Sequence, residues 1–120
     1  MRKNKAFIDV YFKFNRNKKF DKELLDTYMD KRTSTQPTNQ WSSGCIFKNP
    51  NTKISASEII DEANLSKTRI GGIYVSKKHC NYFINDGTGT CKDLEDLIFS
   101  IKKDIYDQYN MKIENEVCIY

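Results

Sequence analysis

RIGGIYVSKKHCNYFINDGTGTCKDLEDLIFSIKKDI, residues 69–105, changes its periodicity once. The first half is extended. Gly71-Gly72 marks a tight bend, IYVS runs on from it, and HCNYFIN reads as a strand closed by the turn DGTG. The second half is helical: Thr90-x-x-Asp93 has the form of a capping box, and Leu94, Leu97, Ile98, Ile101 and Ile105 recur one helical turn apart.

Outward from this unit the same two periods recur without a βαβ rhythm. On the C-terminal side, MKIENEVCIY alternates, with Ile113, Val117 and Ile119 on one face and Glu114, Glu116 and Cys118 on the other. That pattern predicts a strand. On the N-terminal side, Ser55-x-x-Glu58 followed by Ile59, Ile60 and Ala63 predicts a short capped helix, and Asp21 predicts the cap of another carrying Leu24, Leu25, Tyr28 and Met29. Between them TSTQPTNQWSSG, residues 33–44, is polar and broken by Pro37 and Gly44, so a loop is expected. AFIDVYFKF, residues 6–14, alternates as a strand with Ile8, Val10, Phe12 and Phe14 on one face. A chain of 120 residues supports one hydrophobic core. The expectation is a single α+β domain with a largely antiparallel sheet and a few packed helices.

Composition narrows the function classes. With 38% hydrophobic and 30% charged residues the chain reads as an ordinary globular protein, and no apolar run approaches the length of a membrane span. The basic start MRKNKAFIDVYFKF is interrupted by Asp9 and Lys13, which argues against a secretory leader. Cys45, Cys80, Cys91 and Cys118 form no C-x-x-C pair, so they are expected as free thiols in a reducing cytoplasm. His79 and Cys80 would lie on opposite faces of a strand, so no metal site is expected. Residues 1–22 hold eight Lys/Arg against Asp9 and Asp21, interleaved with Phe7, Tyr11, Phe12, Phe14 and Phe20. Cations for phosphates and rings for bases would suit a small nucleic-acid-binding module. The stronger reading is a Lys-rich edge strand, since neither an RNP-like nor a helix-turn-helix signature occurs.

SGCIFKNP, residues 43–50, sets Cys45 directly after a glycine and shortly before Asn49-Pro50. Bends on both sides leave Ile46 and Phe47 as a very short apolar segment. Such a segment suits a side chain held rigidly beside a cavity. It suits an ordinary buried cysteine equally well.

TQP at 35–37, SGCIFKNP at 43–50, RIGG at 69–72, VSKKHCNYFIN at 75–85 and IENEV at 113–117 resemble, in order and spacing, the C-terminal substrate domain of the UDP-N-acetylenolpyruvoylglucosamine reductase family, also called UDP-N-acetylmuramate dehydrogenase. In that family NADPH reduces FAD, and the flavin delivers hydride to the enolpyruvyl double bond of UDP-N-acetylglucosamine enolpyruvate. The product, UDP-N-acetylmuramate, serves peptidoglycan synthesis, and with it cell-wall biogenesis, cell shape and division in the cytoplasm. The resemblance implies that Cys45 stands where the family's pattern G-S-x-F-K-N-P places its proton-donating serine. A thiol with an ordinary pKa of about 8.5 is mostly protonated at neutral pH and can serve as a general acid. The resemblance further implies that Glu116 matches the glutamate that assists charge development on the substrate carboxylate. Asn49 matches a contact to the UDP portion, Lys48 supplies positive charge beside it, and His79 stands where some members place a substrate-contacting glutamine.

Two departures matter. The family often carries a lysine directly before a glycine ahead of I-G-G, whereas here Leu65-Ser66-Lys67 moves the lysine by one, so the contact of Lys67 to the diphosphate is open. The family's FAD domains precede this region, and no glycine-rich phosphate loop takes their place. Residues 1–18 are therefore expected to be the end of a FAD-binding region with its connecting strand, and residues 19–120 the substrate-binding domain. FAD and NADPH belong to the complete enzyme. This chain alone is expected to bind neither and to be inactive unless FAD domains are supplied in cis or in trans.

Overall fold

The computed structural model describes residues 8–15, 19–50 and 53–119. Among these, three helices and three strands follow one another as α1 (Lys22–Thr35), α2 (Ala56–Glu62), β1 (Arg69–Ile70), β2 (Ile73–Val75), β3 (Phe83–Asn85) and α3 (Cys91–Tyr109). The strands form one antiparallel sheet in sequence order, with Ile70 opposite Ile73 and Val75 opposite Phe83. The α+β expectation therefore holds.

Local chemistry explains each element. Gly71, at φ +53°, and Gly72 make the two-residue turn between β1 and β2. A Cβ on Gly72 would lie 2.1 Å from the backbone nitrogen of Gly89, so the DGTG turn packs against this one only because the side chain is missing. The Thr90 hydroxyl accepts from the Asp93 N–H, and the Asp93 carboxylate accepts from the Thr90 N–H at 2.8 Å, which closes the start of α3. At its other end Asn110 adopts the left-handed conformation, φ 51°, and terminates the helix. Leu97, Ile98, Ile101 and Ile105 are buried along one face of α3, which packs on β1, β2 and α2. The core they enter includes Ile46, Phe47, Ile59, Ile60, Val75 and Phe83, with the Phe47 and Phe83 rings edge to face at 5.8 Å.

The capping box yields a first prediction. Thr90→Ala is expected to cost about 1 kcal/mol of stability, since one N-terminal N–H of the longest helix loses its partner. Denaturant unfolding measures it. A cost below a few tenths of a kcal/mol would mean that water replaces the hydroxyl.

Four expectations are corrected. Residues 8–15 form no strand: Ile8 and Tyr11 are 92% and 93% exposed, and Phe12 and Phe14 are exposed as well. Alternation supplies an apolar face, but a strand also needs a partner strand, and among the described residues no ladder or bridge includes this segment. Residues 6 and 7 of that expected strand lie outside the described residues. The tail is extended but makes one bridge, Asn115 to Phe47, instead of a strand. Helix α1 continues to Thr35 into the stretch expected as a loop, because Thr33, Ser34 and Thr35 turn their hydroxyls back onto carbonyls of residues 29–31. Finally, β3 begins only at Phe83. His79 and Cys80 lie in the preceding turn region, not on opposite faces of a strand.

Candidate functional site

The segment carrying Cys45 is fixed from both sides. Gly44 sits at φ +88°, a conformation that L side chains rarely adopt, and turns the chain inward. Cys45 then bridges Tyr82 in antiparallel fashion, and the Ile46 N–H donates to the Asn81 carbonyl at 2.9 Å. On the opposite side the Ile46 carbonyl accepts from the Glu116 N–H at 2.8 Å, and the Lys48 N–H donates to the Glu114 carbonyl at 2.9 Å. Ile46 and Phe47 are fully buried between these contacts. The short apolar segment thus joins the β3 side of the sheet to the C-terminal tail.

Asn81 makes the junction rigid. Its side chain is buried, accepts from the Phe47 N–H at 2.9 Å and donates to the Phe47 carbonyl at 2.8 Å. A polar side chain inside the core is tolerated because both ends are paired.

Cys45 and Glu116, remote in sequence, are brought together here. Burial raises the Cys45 thiol above its ordinary pKa, and the charge of Glu116 raises it further, against the influence of the Tyr82 side chain, which lowers it. The thiol is therefore held protonated at neutral pH. Cys80, by contrast, is a buried thiol that donates to Asp61 at 3.6 Å, and burial with the Asp61 charge pushes it up to about 11. It is inert packing, and Cys91 and Cys118 are exposed.

A cavity of about 310 Å³ is lined by Gly44 and Tyr82, the sequence neighbour and the bridge partner of Cys45, with Arg32, Gln36 and Gln40, while Cys45 itself is not part of its lining. Gln40 also lines a groove of about 500 Å³ with Lys67, Arg69, Tyr74, Lys77 and Lys78. The two hollows adjoin. In the groove the Arg69 guanidinium stacks over the Tyr74 ring at 5.4 Å and pairs with Asp86, while Lys78 donates to the Thr33 carbonyl. Lys67 and Lys77 are exposed.

The other expected site residues have different surroundings. Lys48 forms an ion pair with Glu114 at 2.9 Å. Asn49 is exposed, and its side-chain oxygen accepts from the Ala56 N–H at 3.0 Å, so it helps to close the start of α2. His79 is half-buried with its ring edge-on to Tyr82 at 4.7 Å, its Nδ1 buried without a hydrogen-bond partner. Burial lowers its pKa, which keeps the ring neutral. Among the described residues no group of three His, Cys, Asp or Glu side chains is arranged to hold a metal ion, and no helix is long and apolar enough to cross a membrane.

Tyr82, Asn81, Arg32 and Gln40 were not marked by sequence reasoning. For Asn81 a signal existed, since an amide within an apolar strand requires partners. Tyr82 looked like one more aromatic of the sheet.

Residues 36–120 match the family model of the UDP-N-acetylenolpyruvoylglucosamine reductase C-terminal domain. The chain is similar to UDP-N-acetylenolpyruvoylglucosamine reductase of Wolbachia pipientis wMel, 34% identical over 95% of this chain and 39% of that protein. It is likewise similar to the protein of that name from Clostridioides difficile strain 630, 38% identical over 82% of this chain and 32% of that one. Among solved structures, the UDP-N-acetylenolpyruvylglucosamine reductase of Thermus caldophilus superposes with a TM-score of 0.68 at 30% identity, covering 82% of this chain and 35% of that one. The chain thus spans about two fifths of the length of the first of these relatives.

Proposed function

Because the chain belongs to the C-terminal domain family of UDP-N-acetylenolpyruvoylglucosamine reductase, we propose that it is the substrate-binding and proton-donating part of such an enzyme in the cytoplasm. The reaction would convert UDP-N-acetylglucosamine enolpyruvate to UDP-N-acetylmuramate for peptidoglycan synthesis. The observation that supports this reading most is that the cavity at Gly44 and Tyr82, the residues next to and opposite Cys45, adjoins the basic groove through Gln40. An anionic nucleotide-sugar has a place for its charge there, with its reactive end toward the thiol.

In this reading Lys67 meets the UDP portion in the groove, Lys48 and Asn49, which line neither hollow, would meet it where it extends beyond them, and His79, neutral and in contact with Tyr82, would stand near the reacting end without lining the cavity. Glu116 steadies the substrate carboxylate as charge develops on it. Cys45 gives its proton to the carbon next to that carboxylate. The Lys48 to Glu114 pair is exposed, so exchanging that carboxylate for a diphosphate costs little.

In this reading FAD and NADPH belong to the remainder of the enzyme, in cis or in trans, and residues 1–18 would be the end of that FAD-binding region. The isolated chain would be inactive. For the nucleic-acid alternative, residues 8–15 offer no sheet as a platform.

Calorimetry with UDP-N-acetylglucosamine enolpyruvate and with single-stranded RNA at physiological salt tests the reading. Binding of the nucleotide-sugar and not the RNA is expected, weakened by about 1 to 3 kcal/mol in Lys48→Ala and in Asn49→Ala. Equal affinity of both variants and the parent chain would place the ligand elsewhere.

A further inference from the structure

We propose that helix α1 is a docking surface, and that the part of the enzyme which the relatives carry beyond this chain seats on its apolar face, formed by Leu24, Leu25, Tyr28 and Met29. The proposal rests on the reading of the chain as one part of a larger enzyme. It also moves the boundary within the chain, since α1 then goes with the docking region and the substrate domain begins after Thr35.

A helix with nothing packed on it carries the inference. Every residue of α1 is exposed, and among the described residues no other helix or strand packs against it. The hydrophobic core, among those residues, draws on none before Ile46. A helix of 14 residues is marginal in water by itself and owes most of its stability in a protein to the packing of an apolar face. Such a face is present: Leu24, Leu25, Tyr28 and Met29 recur at helical spacing on one side of α1 and are between 45% and 61% exposed. Upstream, Ile8, Val10, Phe12, Phe14 and Phe20 are exposed as well. Apolar exposure gathered in one stretch of chain marks an interaction site.

Three observations name the occupant. The family model begins at residue 36, so α1 lies outside the matched domain, whereas the Wolbachia pipientis wMel relative matches 95% of this chain, a span that takes in α1, and continues for about three fifths of its own length beyond the match. The matched domain is the C-terminal one, so most of that remainder precedes it and reaches the chain at the end that carries the uncovered face. The far end of α1 stands at the candidate site: Arg32 lines the cavity at Gly44 and Tyr82, and Lys78 of the groove donates to the Thr33 carbonyl. A partner seated on α1 is thereby brought beside both hollows. Other occupants fit less well, because Glu23, Asp26 and Asp30 balance Lys22, Lys31 and Arg32, and the helix offers no net positive charge to a phosphate backbone or an anionic membrane.

Hydrogen exchange tests the proposal on the full chain alone and on the chain joined to the part of the wMel relative that the match leaves uncovered. In the chain alone the α1 amides should exchange quickly while those of α3 are protected, and joining should slow exchange across residues 22–35 by about tenfold or more without changing α3. Leu25→Lys with Met29→Lys should abolish that protection, because two charges would enter the covered face. The melting temperature of the chain alone should not change, because nothing packs on either residue. Equal α1 exchange in the two proteins overturns the proposal, as does protection that survives both lysines. Protection that appears in the chain alone and grows with its concentration assigns the face to a second copy and overturns it too. If the joined protein does not fold, exchange is measured in the full-length wMel relative, whose segment matching α1 should be protected, and an unprotected segment there again overturns the proposal. No nucleotide enters the assay, so failure of the calorimetric test would remove the substrate reading and leave this result in place.

Discussion

Cys45→Ala, in this domain joined to active FAD domains from a relative, is expected to slow substrate reduction by about 10² to 10⁴, or roughly 3 to 5 kcal/mol, as for loss of a positioned general acid. Flavin reduction by NADPH should be unaffected. The physical basis is the protonation state: burial and the Glu116 charge hold the thiol above its ordinary pKa, so at neutral pH the proton is present to be given. Cys45→Ser should keep substantial activity, because a hydroxyl also carries a transferable proton, although the shorter bond sets it back from the substrate. A cysteine that only packs makes the opposite demand. Alanine would then lower the melting temperature through a small cavity and leave the rate per folded molecule nearly unchanged. Single-turnover reduction and thermal unfolding on the same samples separate the two. A wild-type rate in the alanine variant ends the assignment of Cys45 as donor.

The start and the buried face of helix α3 were legible because their signals are local. The Thr90 to Asp93 box and the apolar spacing from Leu94 to Ile105 both act within one or two turns, and each is realised in the structure. The turn at Gly71-Gly72 was legible for the same reason. Alternation carries less information. It marks a face without naming what covers it, and so it served equally for the tail, which has one bridge, and for residues 8–15, which form no bridge or ladder with the described residues. Helix α1 was underestimated because Ser and Thr were counted as loop residues. Their hydroxyls can also bond back along a helix, and here they do.

The candidate site divides along the same line. Cys45 was visible through the bends that flank it, but its approach to Glu116 depends on the Ile46 carbonyl meeting the Glu116 N–H, a tertiary contact without a local signature. Tyr82 enters through its bridge to Cys45. The groove containing Lys67, Arg69, Lys77 and Lys78 gathers charges from both sides of the β1–β2 hairpin. Read singly along the chain, these cations resemble ordinary solvated lysines and arginines.

Asn81→Ala should be the most damaging single truncation in the core, although it removes only a small polar side chain. Two groups would lose their partners at once, the Phe47 N–H and the Phe47 carbonyl, and both lie in a segment with Phe47 only 1% exposed. An unsatisfied buried polar group costs about 1 to 3 kcal/mol, so the pair should cost about 2 to 6 kcal/mol, a large share of the stability of a small domain. The damage should also reach the site. Phe47 lies two residues beyond Cys45, and the Asn81 carbonyl fixes Ile46 between them, so loosening this junction frees the thiol from its place opposite Tyr82. Denaturant unfolding gives the stability, and hydrogen exchange at the Phe47 amide reports the junction itself. Fast exchange at Phe47 with α3 still protected would locate the loss at Asn81. A variant within about 1 kcal/mol of the parent would mean that a water molecule has entered and taken over both bonds.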